Sequence, residues 1–273
     1  MSAVSAPPEI FAPEFPPDVD WINAPFVRMS TLIGRGVPLV WFWDCASLNS
    51  LRALPYVCEW DRRYRDAGLR VIGVHSPQFD FGARREVVEA AVRRLEIPFP
   101  VALDSEYEIW RLYGNEVWPS VYLWDRRGVL RYNHAAEGEY QAIELGIQEL
   151  VREIEPELEL PTLMAPLRAT DAPDALVRAP TPHRYLEEDR SARDVAAGDE
   201  LAIRYQAAGA FAVLDGEGEV EVLLDGRPLR MVQLEGPRLY ELVDSGAHEQ
   251  HELRLRFGGD ARAYAFSFAP GPA

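Results

Sequence analysis

The chain has 273 residues, of which 48% are hydrophobic, and a formal net charge of −16. This length and composition suit two globular domains and exclude a largely disordered chain. The acidic excess argues against nucleic acid and anionic membrane surfaces as partners, because both attract clustered positive charge.

The first half of the chain predicts alternating strands and helices. Residues 1–20 are a predicted N-terminal arm, rich in proline and without the apolar stretch of a secretion signal. The predicted first domain covers 21–155. Its apolar runs Val37–Trp43 and Leu69–His75 are typical of strands buried on both faces. Further patterns predict helices over 47–67, 83–95, 105–113 and 139–153, a strand over 99–103, and a hairpin of strands 121–125 and 129–134.

The second half is predicted to be mostly β. A proline-rich linker is predicted over 156–184, followed by an all-β domain over 185–273. Its strands are predicted from alternating apolar and polar residues over 210–214, 219–224, 238–243, 252–257 and 263–268, which favours a small β-sandwich. The linker carries several apolar side chains, so we expect it to lie against one or both domains rather than in water. They are Leu158, Leu160, Leu163, Met164, Leu167, Leu176 and Val177.

Two cysteines, Cys45 and Cys58, are present in the whole chain. Cys58 lies well inside the predicted helix 47–67, which places the two sulfurs beyond disulfide reach. Two free thiols are typical of a reducing compartment, and no apolar run in the sequence is long enough to cross a bilayer. We therefore expect a cytoplasmic protein with no membrane partner.

The most informative stretch begins at Val40 and reads VWFWDCASLNSLRALPY, a buried strand followed by a sharp turn and the start of a helix. It resembles the FWTYxCINCxxxLPxL segment of DipZ-like and TlpA-like thioredoxins. On that alignment Ser47 and Ser50 stand at the two cysteine positions of the CxxC motif, with Leu48 and Asn49 between them.

Other segments carry the same resemblance, which extends to thioredoxin-like proteins linked to NHL repeats. VIGVHSPQF begins at Val71, IWRLYG begins at Ile109 and is followed by Trp118-Pro119, and AEGEY begins at Ala136. The tail from Val222 resembles the C-terminal β-domain of the family, which is similar to a carbohydrate-binding module. The resemblance implies an α/β thioredoxin fold followed by a smaller all-β domain. It also implies that Trp118-Pro119 is a cis peptide bond lying against the turn at Ser47–Ser50, beside a groove for an extended peptide.

Serine cannot perform the exchange reaction of the family, because the reaction needs a thiolate and a sulfur that can form a bridge. The simplest interpretation of Ser47 is a helix N-cap. A serine nucleophile would need an adjacent base. His75 is the candidate, and this interpretation has little support.

Cys45 is the one candidate catalytic residue for redox chemistry. It precedes a helix, which lowers a thiol pKa, but Asp44 beside it raises one, and no resolving cysteine is near. Both a half-buried structural role and a one-cysteine reaction with peroxide or disulfide remain open. His248 and His251 lie in a predicted turn without a third ligand, so we expect no metal site and no cofactor.

We therefore expect a binding or scaffold protein rather than an enzyme. It would use the former active-site groove to bind a protein or peptide partner. Its groove residues would be Ser47, Leu48, Asn49, Ser50, Trp118 and Pro119. The alternatives are a thiol oxidoreductase that uses Cys45, and a sugar-binding protein that uses the β-domain. The sugar interpretation has weak support, since that domain has no tryptophan.

Overall fold

The computed structural model describes residues 9–273, and the first part of the chain follows the predicted alternation. In chain order the elements are β1 (Asp20–Ile22), α1 (Met29–Leu32), β2 (Val37–Trp43), α2 (Leu48–Tyr64), β3 (Leu69–His75), a 3-10 helix (Asp80–Ala83), α3 (Arg85–Arg94), β4 (Val101–Leu103), α4 (Glu108–Leu112), β5 (Ser120–Trp124), β6 (Leu130–Ala135) and α5 (Tyr140–Ile154).

Six strands form one mixed sheet in the order β1-β4-β3-β2-β5-β6. Strands β2, β3 and β4 are parallel, whereas β5 and β6 join the other edge as an antiparallel hairpin. Every residue of β2 is buried, as expected for an apolar central strand between two helical layers. The register pairs Trp43 with His75, the last residues of β2 and β3. The residues that follow these two parallel strands therefore lie side by side at the same end of the sheet. The predicted thioredoxin fold is confirmed.

The described part of the predicted N-terminal arm is held against the first domain. Ala12 donates a backbone hydrogen bond to the carbonyl of Gly128, and Leu130 donates one to Ile10. Phe15 is buried with its ring edge against Trp21. Backbone pairing and one buried aromatic ring hold this segment, and the remainder of the arm, residues 1–8, lies outside the described residues.

Buried polar side chains hold the start of the predicted linker by hydrogen bonds. Glu144 of α5 accepts hydrogen bonds from the guanidinium of Arg63 and the hydroxyl of Tyr64, both at 2.6 Å, and from the backbone amide of Met164 at 2.8 Å. Gln148 donates to the carbonyl of Pro161 at 2.8 Å. The stretch 161–164 therefore packs on α2 and α5.

Residues 165–273 are mostly β and make up the larger part of a second compact unit, which also includes 45–51 and 77–87. Its strands are β7 (Val177–Arg178), β8 (Arg184–Tyr185), β9 (Arg193–Val195), β10 (Glu200–Leu224), β11 (Arg227–Glu235), β12 (Arg238–Phe257), β13 (Ala261–Ala269) and β14 (Gly271–Pro272). Six of them are hydrogen-bonded in one sheet, while β7 and β14 form a separate two-stranded ribbon. The predicted smaller all-β domain is confirmed.

The bounds of these strands differ from the predicted ones. The predicted strands 210–214 and 219–224 are parts of β10, which continues through bulges instead of turning at Gly216. Similarly, 238–243 and 252–257 belong to β12, and β11 was not predicted. Three apolar side chains of the linker, expected to be buried, are exposed: Leu167, Leu176 and Val177. The ribbon that contains the last of them has only two short strands, which is too few to bury a face.

An aromatic cluster lies within the second unit, which also includes residues 77–87. Tyr264 packs edge-on against Phe79 and Phe81, with ring centroids 5.4 and 5.0 Å away, and all three side chains are buried. The amide of Gln78 donates to the hydroxyl of Tyr185 at 2.7 Å. The segment after β3 is therefore part of the core of this unit.

Candidate functional site

The turn between β2 and α2 carries Ser47 and Ser50, the two serines that the sequence analysis aligns with the cysteines of the CxxC motif. Ser47 precedes the first helical residue, and its hydroxyl accepts a hydrogen bond from the backbone N–H of Ser50 at 3.4 Å. The predicted N-cap is confirmed. Ser47, Leu48 and Ser50 are buried, and Asn49 is the one exposed side chain of the four. The turn therefore presents the amide of Asn49 to solvent rather than either hydroxyl.

Trp118 and Pro119 lie in the loop before β5. Their peptide bond is cis, as predicted. The half-buried indole of Trp118 donates its N–H to the carbonyl of Ser76 at 2.8 Å, and its ring lies 4.4 Å from that of Trp110. Within residues 9–273, no group pairs with the backbone N–H or C=O of Trp118. The loop thus combines a fixed aromatic ring with an unpaired peptide group, whereas its contact with the Ser47–Ser50 turn stays a prediction.

A carboxylate that the sequence analysis missed, Asp104, holds the residues that contact the Trp118 ring. Asp104 accepts hydrogen bonds from the hydroxyl of Ser76 at 2.8 Å and from the backbone amides of Ile109 and Trp110 at 2.9 and 3.0 Å. Burial raises the pKa of Asp104, although these hydrogen bonds act in the opposite direction. Both residues that contact the Trp118 ring are therefore fixed by one side chain. An Asp-Ser pair just before a short helix is the sequence signal that could have found it.

Both cysteines are free thiols, as predicted. Cys45 is only 2% exposed. Cys58 is half-buried, and burial together with the Asp61 carboxylate raises its pKa to about 12. Redox-active cysteines are accessible and lie in electropositive surroundings that lower the thiol pKa, whereas Cys45 is buried and the pKa of Cys58 is raised.

Three potential metal ligands meet at the ends of β2 and β3. Asp44 and His75 are 0% and 1% exposed, and the carboxylate Oδ2 lies 3.5 Å from the imidazole Nε2. Burial lowers the pKa of His75 to about 3, so its ring is neutral at pH 7. One ligand atom from each of Asp44, Cys45 and His75 lies within 4.8 Å of the other two. The sequence analysis weighed each residue separately and did not predict the cluster.

The prediction that His248 and His251 lie in a turn is wrong, because both belong to strand β12. The imidazole Nδ1 of His251 lies 2.8 Å from the carboxylate of Asp225, and its Nε2 lies 3.5 Å from Glu249. Polar residues on an exposed part of a long strand resemble a turn in sequence, which explains the error.

The β unit exposes neither a phenylalanine nor a tyrosine side chain in its described residues, 165–273. Its phenylalanines and tyrosines are buried or half-buried. None of the helices in the described part of the chain is long and apolar enough to cross a membrane.

Comparisons with known proteins agree with this division into two parts. The family model of the thioredoxin-like C-terminal domain matches residues 184–269. Protein DipZ of Mycobacterium tuberculosis is 27% identical over 300 residues, which cover 94% of this chain and 42% of DipZ. Thiol-disulfide oxidoreductase YkuV of Bacillus subtilis is 27% identical over 52% of this chain and 95% of its own length. Human NHL repeat-containing protein 2 is 29% identical over 48% of this chain and 18% of its own length. The chain thus spans less than half of DipZ.

Proposed function

From a thioredoxin-like domain followed by a smaller all-β domain, we propose that this chain acts as a binding protein and not as a thiol–disulfide oxidoreductase. One observation supports the proposal: neither of the two thiols of the chain, Cys45 and Cys58, is an accessible thiolate at neutral pH. Cys45 is 2% exposed, and the Cys58 pKa of about 12 keeps that thiol protonated at neutral pH. Exchange needs an accessible thiolate.

The proposed binding surface is the loop around Trp118. Its free N–H and C=O suit the backbone of an extended peptide, which would pair with them as a neighbouring strand does. The Trp110 and Trp118 rings supply apolar contact area that is already held in place by Ser76 and Asp104, so little side-chain entropy is lost on binding. The partner is a protein or peptide segment in extended conformation.

The thiol alternative would use Cys45 as a lone redox nucleophile. Such cysteines are normally low in pKa and open to solvent, because the oxidant must reach the sulfur. Burial of Cys45 therefore favours the binding function over this alternative.

Reduction of insulin disulfides tests the redox part of the proposal. We expect the wild-type chain to add nothing to the rate of insulin reduction by dithiothreitol, because neither serine can form the mixed disulfide. The variant Cys45→Ser should behave in the same way. A wild-type rate above that of the reagent, abolished in Cys45→Ser, would establish the thiol alternative.

Binding of a thiol-free extended peptide tests the other part. The probe is carboxamidomethylated insulin B chain, whose binding is followed by calorimetry. We expect saturable binding that Trp118→Ala weakens about tenfold or more, as is typical when an interface tryptophan is removed. Phe26→Ala is the matched control, because Phe26 is an aromatic residue 64% exposed in the same domain. Equal affinity in both variants, or no binding by wild type, would count against the Trp118 surface.

A further inference from the structure

We propose that the first domain holds a second binding site, a surface cavity that binds a small carboxylate with an apolar body. The cavity has a volume of about 520 Å³ and lies beside the start of strand β3. Trp118 instead contacts Ser76, which follows the end of the same strand. The 7 residues of β3 separate these two ends by roughly 20 Å. The cavity therefore goes beyond the proposed peptide-binding surface and does not depend on it.

The size and the walls of the cavity suit a small organic ligand. Binding cavities for such ligands usually measure about 300–1,000 Å³ and are mostly apolar, with a few polar groups that orient the ligand. Several segments of the first domain meet here: the residues before β2, the end of α2, the start of β3 and the loop before β4. An apolar ligand body displaces water from these walls, which favours binding. The apolar lining includes Val27, Leu32, Ile72, Pro98, Phe99 and Pro100.

Arg70 in the lining supplies the charged contact. Its Nη1 donates to the backbone carbonyls of Arg65 and Leu69, at 2.6 and 2.8 Å, which holds the guanidinium in place. In the described part of the chain, Nε and Nη2 have no hydrogen-bond partner, and no carboxylate forms an ion pair with Arg70. These two N–H groups lie on one edge of the guanidinium and match the two oxygens of a carboxylate. A ligand carboxylate is the partner that this edge lacks.

The other charged groups of the lining are Asp61, Arg65 and Asp66. Asp61 is 3% exposed and forms an ion pair with Arg65, so these two charges balance each other. Asp66 is exposed and forms no hydrogen bond or ion pair with any described residue. Its negative charge opposes the binding of an anion, by an amount that salt reduces. The lining thus combines a fixed cation for the carboxylate with one residue whose removal strengthens binding.

Calorimetric titration with 2-naphthoate tests the proposal, and 2-naphthamide serves as a neutral ligand with the same apolar body. At about 0.15 M salt, where distant charges are largely screened, we expect wild type to bind naphthoate about tenfold more tightly than naphthamide. Arg70→Gln should lose this difference while its affinity for naphthamide stays unchanged, which shows that the cavity is intact. Arg93→Gln is the matched control, because Arg93 is an exposed arginine outside the cavity.

Two further variants separate this site from its surroundings. Asp66→Asn should bind naphthoate about two- to threefold more tightly, since a like charge is removed. Trp118→Ala should bind naphthoate as wild type does, so failure of the peptide-binding surface and failure of this site are distinguishable. The proposal is overturned if wild type does not bind naphthoate or binds both ligands equally. It is also overturned if Arg70→Gln keeps the preference or loses both ligands to the same extent.

Discussion

The thiol of Cys58 illustrates how surroundings decide whether a cysteine reacts. Burial and the nearby Asp61 carboxylate raise its pKa from 9.0 to about 12. Such a shift leaves about a thousandfold less thiolate at pH 8 than an ordinary cysteine has. Because the unfolded chain releases this proton at lower pH than the folded chain, stability falls as pH rises from about 9 towards 12.

We predict that native Cys58 reacts very slowly with iodoacetamide at pH 8, and that its rate rises about tenfold for each pH unit up to pH 10. Peptide mapping by mass spectrometry measures the rate separately for each cysteine. Asp61→Asn should react faster, because one of the two causes of the shift is removed, whereas Asp66→Asn serves as the control carboxylate. Equal rates in the folded and the urea-unfolded chain would contradict the prediction.

Individual site residues were predictable where their role is local. A serine directly before a helical pattern predicts an N-cap, and Ser47 is one. The contact between Asp44 and His75 was not predictable in this way, because it depends on the register of two strands about thirty residues apart in sequence. Asp104 was missed for a related reason. Its hydrogen bonds from the amides of Ile109 and Trp110 are local in sequence, but its bond from the hydroxyl of Ser76 joins segments that follow two different strands.

At the scale of elements, helix α5 depends on one buried carboxylate. Glu144 is 1% exposed and accepts hydrogen bonds from Arg63, Tyr64 and the amide of Met164. Burial, followed by the hydrogen bond to Glu144, raises the pKa of Tyr64 to about 12, so its hydroxyl is protonated and can donate at neutral pH.

We predict that Glu144→Gln destabilises the first domain by about 2–4 kcal/mol, because the amide cannot accept every bond and leaves the Arg63 charge partly unpaired. Urea unfolding followed by tryptophan fluorescence reports on this domain alone, since all seven tryptophans lie at or before Trp124. Glu149→Gln on the same helix is the control. Its exposed pair with Arg131 should contribute less than about 1 kcal/mol. Similar losses in the two variants would contradict the role given to Glu144.

Elements with an uninterrupted apolar pattern were predicted most accurately. Strands β2 and β3 have the predicted bounds, because a buried central strand needs apolar residues on both faces. The long β10 was divided at Gly216, where glycine permits a φ of +149° and the chain bends while remaining in the sheet. Strand β11 was missed because its exposed positions include Leu229 and Met231, which hide the alternation of apolar and polar residues.

At the scale of the whole molecule, the linker is shared between the two units. Its start is fixed to the first domain through the carbonyl of Pro161 and the amide of Met164. Its later part belongs to the β unit, where the carbonyl of Leu176 accepts from Ala273 and the amide of Thr181 donates to Gln206. Residues 165–175 connect these two parts and include a short 3-10 helix, Ala169–Asp171.

Limited proteolysis with thermolysin, which cleaves before large apolar residues, tests this assignment. We predict that any early cut falls within 165–175, where Leu167 is 52% exposed, and that the bond before Leu163 is spared. A protease needs a locally unfolded segment, and opening 161–164 requires breaking the hydrogen bonds of Glu144 and Gln148. Glu144→Gln should therefore expose the Leu163 site, whereas Glu149→Gln should not. Rapid cleavage of the wild type before Leu163, with release of two stable fragments, would show that the linker start is a free tether and that the buried network does not hold it.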